Sequence, residues 1–506
     1  MRLKKRNIRD LMWVLIFTSM PLLACMLMCL KEGIRLDEVY IPNSRWNDEI
    51  FYYKMIGAIA RYDQPLGYFG YNGSVANIGR LGPWSPVLFI FYVIYAKIFG
   101  WSMLSPIYCN IILMTGAMAV FAVLVRPTKQ QIIFLGLLYC SDTLITRYVF
   151  SGMIEISIYA LLVIYLGIAT RMLRQKDEHN VCYEISLNIL AFLLVLMRPY
   201  WMFLTLMPGY YWYTRTHKKA VIILESIWSV VSIGLYFFIS QNFCAAYYKS
   251  IINFDWLRVL FEDPVLGIYN VLHILVSSIW TILQSAGEGV VNGYPVGSIY
   301  ALYMLMIIYF FYEYYHCIDT RQKYCFSYWL FYFGIMLAAV IYLYDIDVGS
   351  RHATSFIFIF GFIFSLSETS KKKYVVFLGA FVWLLCIKAT DQYTYQIPIY
   401  TSEKAAVLGQ GEDELEEAGR FGTDPWDNTI IWLYADETVI DFTYLYALPD
   451  GFGIQLYFKE NVVEDFHELK PKYIMTNTGE EIDLLCEEKG KREIAEYGNV
   501  HVWELR

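Results

Sequence analysis

Charged residues fall in short clusters along the first 390 positions, and long uncharged apolar runs separate them. The first run, Leu11–Leu30, carries no charge; as a helix rising about 1.5 Å per residue it reaches about 30 Å, the thickness of a bilayer core. It follows MRLKKRNIRD, five basic residues in ten, and is longer than the apolar core of a cleaved signal peptide. The pattern predicts a retained first helix with its N-terminus in the cytoplasm. Further spans are predicted at about 106–125, 131–147, 152–170, 184–198, 200–213, 220–240, 298–316, 324–344, 353–367 and 373–389.

The turns between these runs order them. Arg126/Lys129, Arg171/Arg174/Lys176, Arg215/Lys218/Lys219, Arg321/Lys323 and Lys371–Lys373 all fall on one side, as the positive-inside rule requires. The count is about eleven crossings, which puts the C-terminal segment opposite the N-terminus. Two more apolar stretches, 85–99 and about 266–284, would upset this parity if either crossed alone. They are predicted to lie at, or dip into, the outer face.

Residues 391–506 follow another pattern: β-rich runs at Thr429–Tyr434, Phe452–Phe458 and Tyr473–Thr476 alternate with polar stretches such as Ile482–Tyr497, read as helical. The prediction is a polytopic α-helical membrane body (1–390) carrying a small extracytoplasmic α/β domain (391–506). Composition agrees, with 57% hydrophobic residues and 17% charged, against about 25% charged in soluble domains. The net charge of −7 hides a division: the tail holds 25 Asp/Glu against 9 Lys/Arg, and the body is net +9. Neither half suggests nucleic acid as a partner. Most of the ten cysteines fall in apolar runs, and no CxxC or Cys/His cluster occurs.

With this topology the chemistry belongs to the outer loops. The first candidate is Arg45-Trp46-Asn47-Asp48-Glu49-Ile50-Phe51-Tyr52-Tyr53. An acid held beside aromatic surface gains proton affinity and suits a general base; equally, Asn47 or Asp48 would serve as the cap of a short helix running through Arg61. Glu155 enters an apolar run, which is costly unless it is functional, water-exposed or paired with Arg147. Arg198 and Arg351 are outer cations against the positive-inside trend and suit bidentate phosphate binding; snorkelling, or an Asp347–Arg351 pair, is the structural alternative. His352 offers a donor or metal ligand, or plain packing.

An acidic pair in the form Asp-Glu-x-x-Tyr after the first helix, followed by Pro83-Trp84-Ser85-Pro86-Val87-Leu88 and Phe99-Gly100, resembles the GT-C superfamily of membrane glycosyltransferases. That superfamily includes the aminoarabinose transferases and protein mannosyltransferases. Motif-level likeness covers residues 46–100, and Trp84-Ser85-Pro86-Val87 departs from the common Lys-Pro-Pro-Leu. The resemblance implies an inverting transferase that moves a sugar from a polyprenyl-phosphate donor to a glycan, lipid or protein acceptor at the outer face of a bacterial plasma membrane. It places Asp48 as catalytic base and is compatible with an acid at Glu155 and phosphate-binding cations at Arg198 and Arg351; to these the residues themselves add Glu49 as a supporting acid and Trp46, Tyr52 and His352 as substrate contacts. A divalent cation such as Mg or Mn is compatible with these acids, but no metal motif requires it. A transporter or flippase of a lipid-linked saccharide, or a non-catalytic membrane scaffold, would share the topology without the transfer.

Overall fold

The structure, a computed structural model, describes residues 8–38, 48–65, 70–71, 79–82, 86–139, 147–174, 181–245, 255–288, 296–317, 320–343, 346, 352–356, 358–359, 402–418, 424–434 and 442–506. Helix α1 (Ile8–Glu32) contains the first apolar run and keeps Pro21 within it. A short helix α2 (Asp48–Tyr62) follows, then a 3-10 turn (Pro86–Phe89) leading into α3 (Ile90–Phe99). At ten residues α3 is short of the roughly 20 a crossing takes, in keeping with a position at one face.

The body continues through α4 (Ser105–Val125), α5 (Lys129–Tyr139), the turn α6 (Arg147–Val149), α7 (Glu155–Arg174) and α8 (Val181–Met197). Helix α7 is the hub, with 83% of its apolar window buried inside the protein. It packs closely on α4 because Gly167 has no side chain; a Cβ there would lie 3.3 Å from Phe121 Cα. The predicted span at 200–213 is instead a 3-10 segment (Pro199–Thr205) running into α9 (Leu206–Thr216). Pro199 bars Arg198 from the helical conformation, so α8 stops there. Then come α10 (Lys219–Phe243), α11 (Asp255–Glu262), α12 (Pro264–Glu288), α13 (Val296–His316) and α14 (Thr320–Leu343).

Among the described residues six helices are long and apolar enough to cross a membrane: Leu11–Leu30, Ser105–Val125, Glu155–Arg174, Lys219–Phe243, Pro264–Gln284 and Cys325–Tyr342. The fifth contains 266–284, which the sequence reading placed at, or dipping into, the outer face. Only 6% of it is buried, and Val265, Ile268, Leu272, Val276, Ile279 and Trp280 are exposed. An interfacial helix needs a charged face, and Pro264–Gln284 contains no charge, so it is built for lipid on most sides. The predicted span at 373–389 lies outside the described residues.

The C-terminal segment contains α15 (Ser402–Ala418), α16 (Lys459–Asp465), α17 (Glu481–Glu488) and strands β2 (Thr429–Tyr434), β3 (Gly453–Phe458), β4 (Tyr473–Asn477), β5 (Arg492–Tyr497) and β6 (Val500–Glu504). The stretch read as one helix, Ile482–Tyr497, divides at Gly490, whose positive φ of 62° turns the chain from α17 into β5. The sheet has six strands, because β1 (Gly70–Tyr71) from the loop after α1 joins its edge, giving the order β1-β3-β2-β4-β6-β5. Strands β1 to β4 are parallel, and β6 and β5 close the sheet antiparallel. Ile430, Ile431 and Trp432 on β2 are buried in succession, as a parallel central strand demands.

Several contacts join distant segments at one end of the body. Leu81 N–H donates to Phe243 O at 2.9 Å and Leu81 O accepts from Ala245 N–H at 2.8 Å, tying the loop after α1 to the end of α10. Tyr300 hydroxyl donates to Ile346 O at 3.0 Å, holding the start of α13 against the segment after α14. Through β1, the first loop also touches the C-terminal sheet.

Candidate functional site

Asp48 and Glu49 occupy the first turn of α2, where the partial positive charge of the helix start favours acids. Asp48 is half-buried; Glu49 and Tyr52 are buried. The helix is enclosed by aromatic rings. Tyr52 meets Phe89 edge-on at 5.7 Å, and Tyr53 lies between Trp101 at 5.4 Å and Tyr446 at 4.9 Å. Trp101 indole N–H donates to Tyr53 O at 3.0 Å.

The second group is built on the entry to α7. Asn110, deep in α4, donates from its amide nitrogen to the carbonyls of Tyr148, Val149 and Ser151 at 3.0–3.2 Å. Its amide oxygen accepts from Tyr92 hydroxyl at 2.6 Å. One amide thereby fixes the turn that delivers Glu155, and Tyr92 lies within electrostatic reach of that carboxylate. Glu155 faces Arg198: Nη2 stands 3.8 Å from Oε1, with side chains 13% and 5% exposed for Arg198 and Glu155. Among the described residues neither Glu155 oxygen has a hydrogen-bond donor, so the pair is held by charge across a gap wider than a hydrogen bond.

Arg198 continues into the third group. Tyr200 hydroxyl lies 3.3 Å from His352 Nδ1, with the rings edge-on at 5.5 Å. Tyr332 hydroxyl donates to Tyr200 O at 2.9 Å, and Trp201 stacks on Phe356 at 5.3 Å. Buried His352 is thus packed beside the arginine segment. The structure brings together Glu155, Arg198 and His352; Asp48, Glu49 and Tyr52 share α2, linked towards Glu155 by Phe89 and Tyr92. Trp46, Asp347 and Arg351 lie outside the described residues.

Sequence reasoning passed over Asn110, although an amide amid the apolar Ser105–Val125 is the kind of intramembrane polar residue that signals a role. It also passed over Lys54, and it placed the acids at outer helix ends only. Glu225 lies within α10, accepting from Asn188 Nδ2 at 3.1 Å, and Glu313 is buried in α13. Among the described residues no three His, Cys, Asp or Glu side chains are grouped to hold a metal ion.

No family model matches the chain, and a search of curated proteins finds no match. Solved structures do match. The apo oligosaccharyltransferase of Archaeoglobus fulgidus superposes with a TM-score of 0.51 at 13% identity, covering 97% of this chain and 74% of its own. The ArnT of Cupriavidus metallidurans, solved with undecaprenyl phosphate, gives 0.44 at 9% identity over 98% of both chains, and its apo form 0.41 at 10%. The chain thus shares the fold of that archaeal oligosaccharyltransferase.

Proposed function

We propose that the chain is an inverting membrane glycosyltransferase, moving a sugar from a polyprenyl-phosphate donor to an acceptor hydroxyl or amide at the outer face of a bacterial plasma membrane. The buried Glu155–Arg198 pair supports this most directly. A guanidinium almost sealed from water, its charge set 3.8 Å from a carboxylate, puts a fixed cation of the type that binds phosphate at this place. The fold shared with an oligosaccharyltransferase supports it at the level of reaction class.

In this reading Asp48 takes the proton from the acceptor as the acceptor atom bonds to the anomeric carbon. The bond from that carbon to the phosphate oxygen breaks on the opposite side, and the electron pair leaves with polyprenyl phosphate. Arg198, with Arg351, compensates the charge that builds on the leaving phosphate. Glu155 holds the guanidinium in place, and Glu49, Trp46 and Tyr52 shape the acceptor side. His352, through Tyr200, keeps the 198–201 segment seated.

The test is transfer from polyprenyl-phosphate sugars by purified protein. Asp48→Asn is expected to lower kcat by about 10²–10⁴, the range for a lost general base; full activity would overturn the assignment. Transport of a lipid-linked saccharide is the second reading, favoured by the Glu225–Asn188 pair inside the helices. Movement of lipid-linked sugar across vesicles without a new glycosidic bond would establish it instead.

A further inference from the structure

We infer that the C-terminal domain is a clamp on α2, and that Lys54 is the positioning residue through which it sets the Asp48 carboxylate. The inference rests on the role given above to Asp48, but its structural basis is separate.

Lys54 lies six residues after Asp48 in α2 and is 5% exposed. Its ammonium donates to Tyr446 O at 2.9 Å and to Leu448 O, both in the domain. Burial lowers its proton affinity, while Asp450 and Glu412, the nearby domain carboxylates, raise it. A lysine among apolar neighbours would otherwise be expensive, so its place between two carbonyls and two carboxylates is a specific socket.

The rest of α2 fits the same surface. Gly57, on the turn after Lys54, lies so close to the domain that a Cβ there would stand 2.4 Å from Asp450 Oδ1. Tyr53 packs on Tyr446, and Arg61 reaches Glu416 at 3.2 Å. Further along the loop, Gly70 and Tyr71 pair with Gln455 and Leu456 as the edge strand of the domain's sheet. Five kinds of contact, a buried cation, a glycine-close approach, ring packing, an ion pair and strand pairing, therefore connect one loop to one domain. On the other side α2 touches the body through Tyr52 and Phe89. The angle of α2, and with it the direction of Asp48, is set between the two.

The experiment uses full-length protein in lipid nanodiscs and compares wild type with Lys54→Met. Deuterium exchange at 48–58 is expected to rise about tenfold while exchange in Glu155–Arg174 stays unchanged. In the transfer assay kcat should fall by about 10²-fold with donor KM unmoved, because a shift of about 1 Å misdirects the base and leaves the phosphate site intact. Unchanged exchange in α2 would overturn the clamp. If Lys54→Met does not fold, Gly57→Val supplies the second variant, pushing α2 from Asp450 with Lys54 in place; wild-type exchange there would also overturn it. If Asp48→Asn keeps full activity while Lys54→Met still loosens α2, the base assignment fails and the clamp stands.

Discussion

Arg198 Nη2 and Glu155 Oε1 face each other at 3.8 Å, two opposite charges withdrawn from water where the start of α7 meets the end of α8. Desolvating both is costly, and their attraction offsets that cost only while both are present. Glu155→Gln or Arg198→Leu alone should lower stability by about 3–5 kcal/mol. The double variant should recover much of that loss, and thermal melts in detergent check it. Arg198→Lys keeps the charge but not the fork, so it should raise donor KM by about tenfold with a smaller effect on melting.

Asn110 satisfies three backbone carbonyls with one side chain. Asn110→Leu is close in size but leaves those groups and Tyr92 hydroxyl without their partner. The expected cost is about 1–3 kcal/mol, read as a lower melting midpoint. Since the turn it holds presents Glu155, transfer activity should fall with it.

The C-terminal domain should have a stability maximum in mildly acidic solution. Burial alone would raise the pKa of Asp483, but donors from Thr476, Gly479 N–H, Trp503 and His501 outweigh it and hold the carboxyl below its ordinary 3.8. Burial alone would lower His501, but Asp483 outweighs it and holds the imidazole above 6.5. The Asp483 contribution is present above pH 3.8 and fades as pH falls through its folded-state value; the His501 contribution is complete below pH 6.5 and fades as pH rises through its own. His501→Asn should flatten the alkaline limb of a melting-against-pH curve and, by removing one of the donors to Asp483, weaken the acid limb less.

Gly411 in α15 faces the ring of Tyr497, where a Cβ would come within 2.7 Å. That ring is buried and its hydroxyl donates to Tyr444 O at 3.1 Å, so it is poorly placed to yield. Gly411→Ala should cost about 1–3 kcal/mol through overpacking, despite the higher helix propensity of alanine. Urea denaturation followed by Trp503 fluorescence would report it.

Much of the body was legible because charge and apolar length are local properties: α4, α8, α10, α13 and α14 begin and end within a few residues of the predicted spans. The acidic motif at Asp48 was legible as a helix start for the same reason. What escaped depends on residues far apart in the chain. The partner of Glu155 is 43 residues away, further than any helical spacing can suggest. The edge strand Gly70–Tyr71 is two residues long and exists only because β3 offers it a parallel partner. At 200–213 the apolar pattern was right but Pro199 imposed a 3-10 segment.

The 392 residues between Lys54 and the Tyr446 carbonyl it bonds have a consequence for how the protein is made. At about 5–20 residues per second, translation needs roughly 20–80 s to supply the socket after the lysine has emerged. During that time α2 carries an unburied ammonium, and its apolar faces lack their cover. Chains arrested before Tyr446 should be cut readily within 48–62 by added protease, whereas completed chains should resist. Docking of the first loop thus has to wait for the C-terminal sheet, and a chain lacking that sheet would enter the membrane with α2 uncovered.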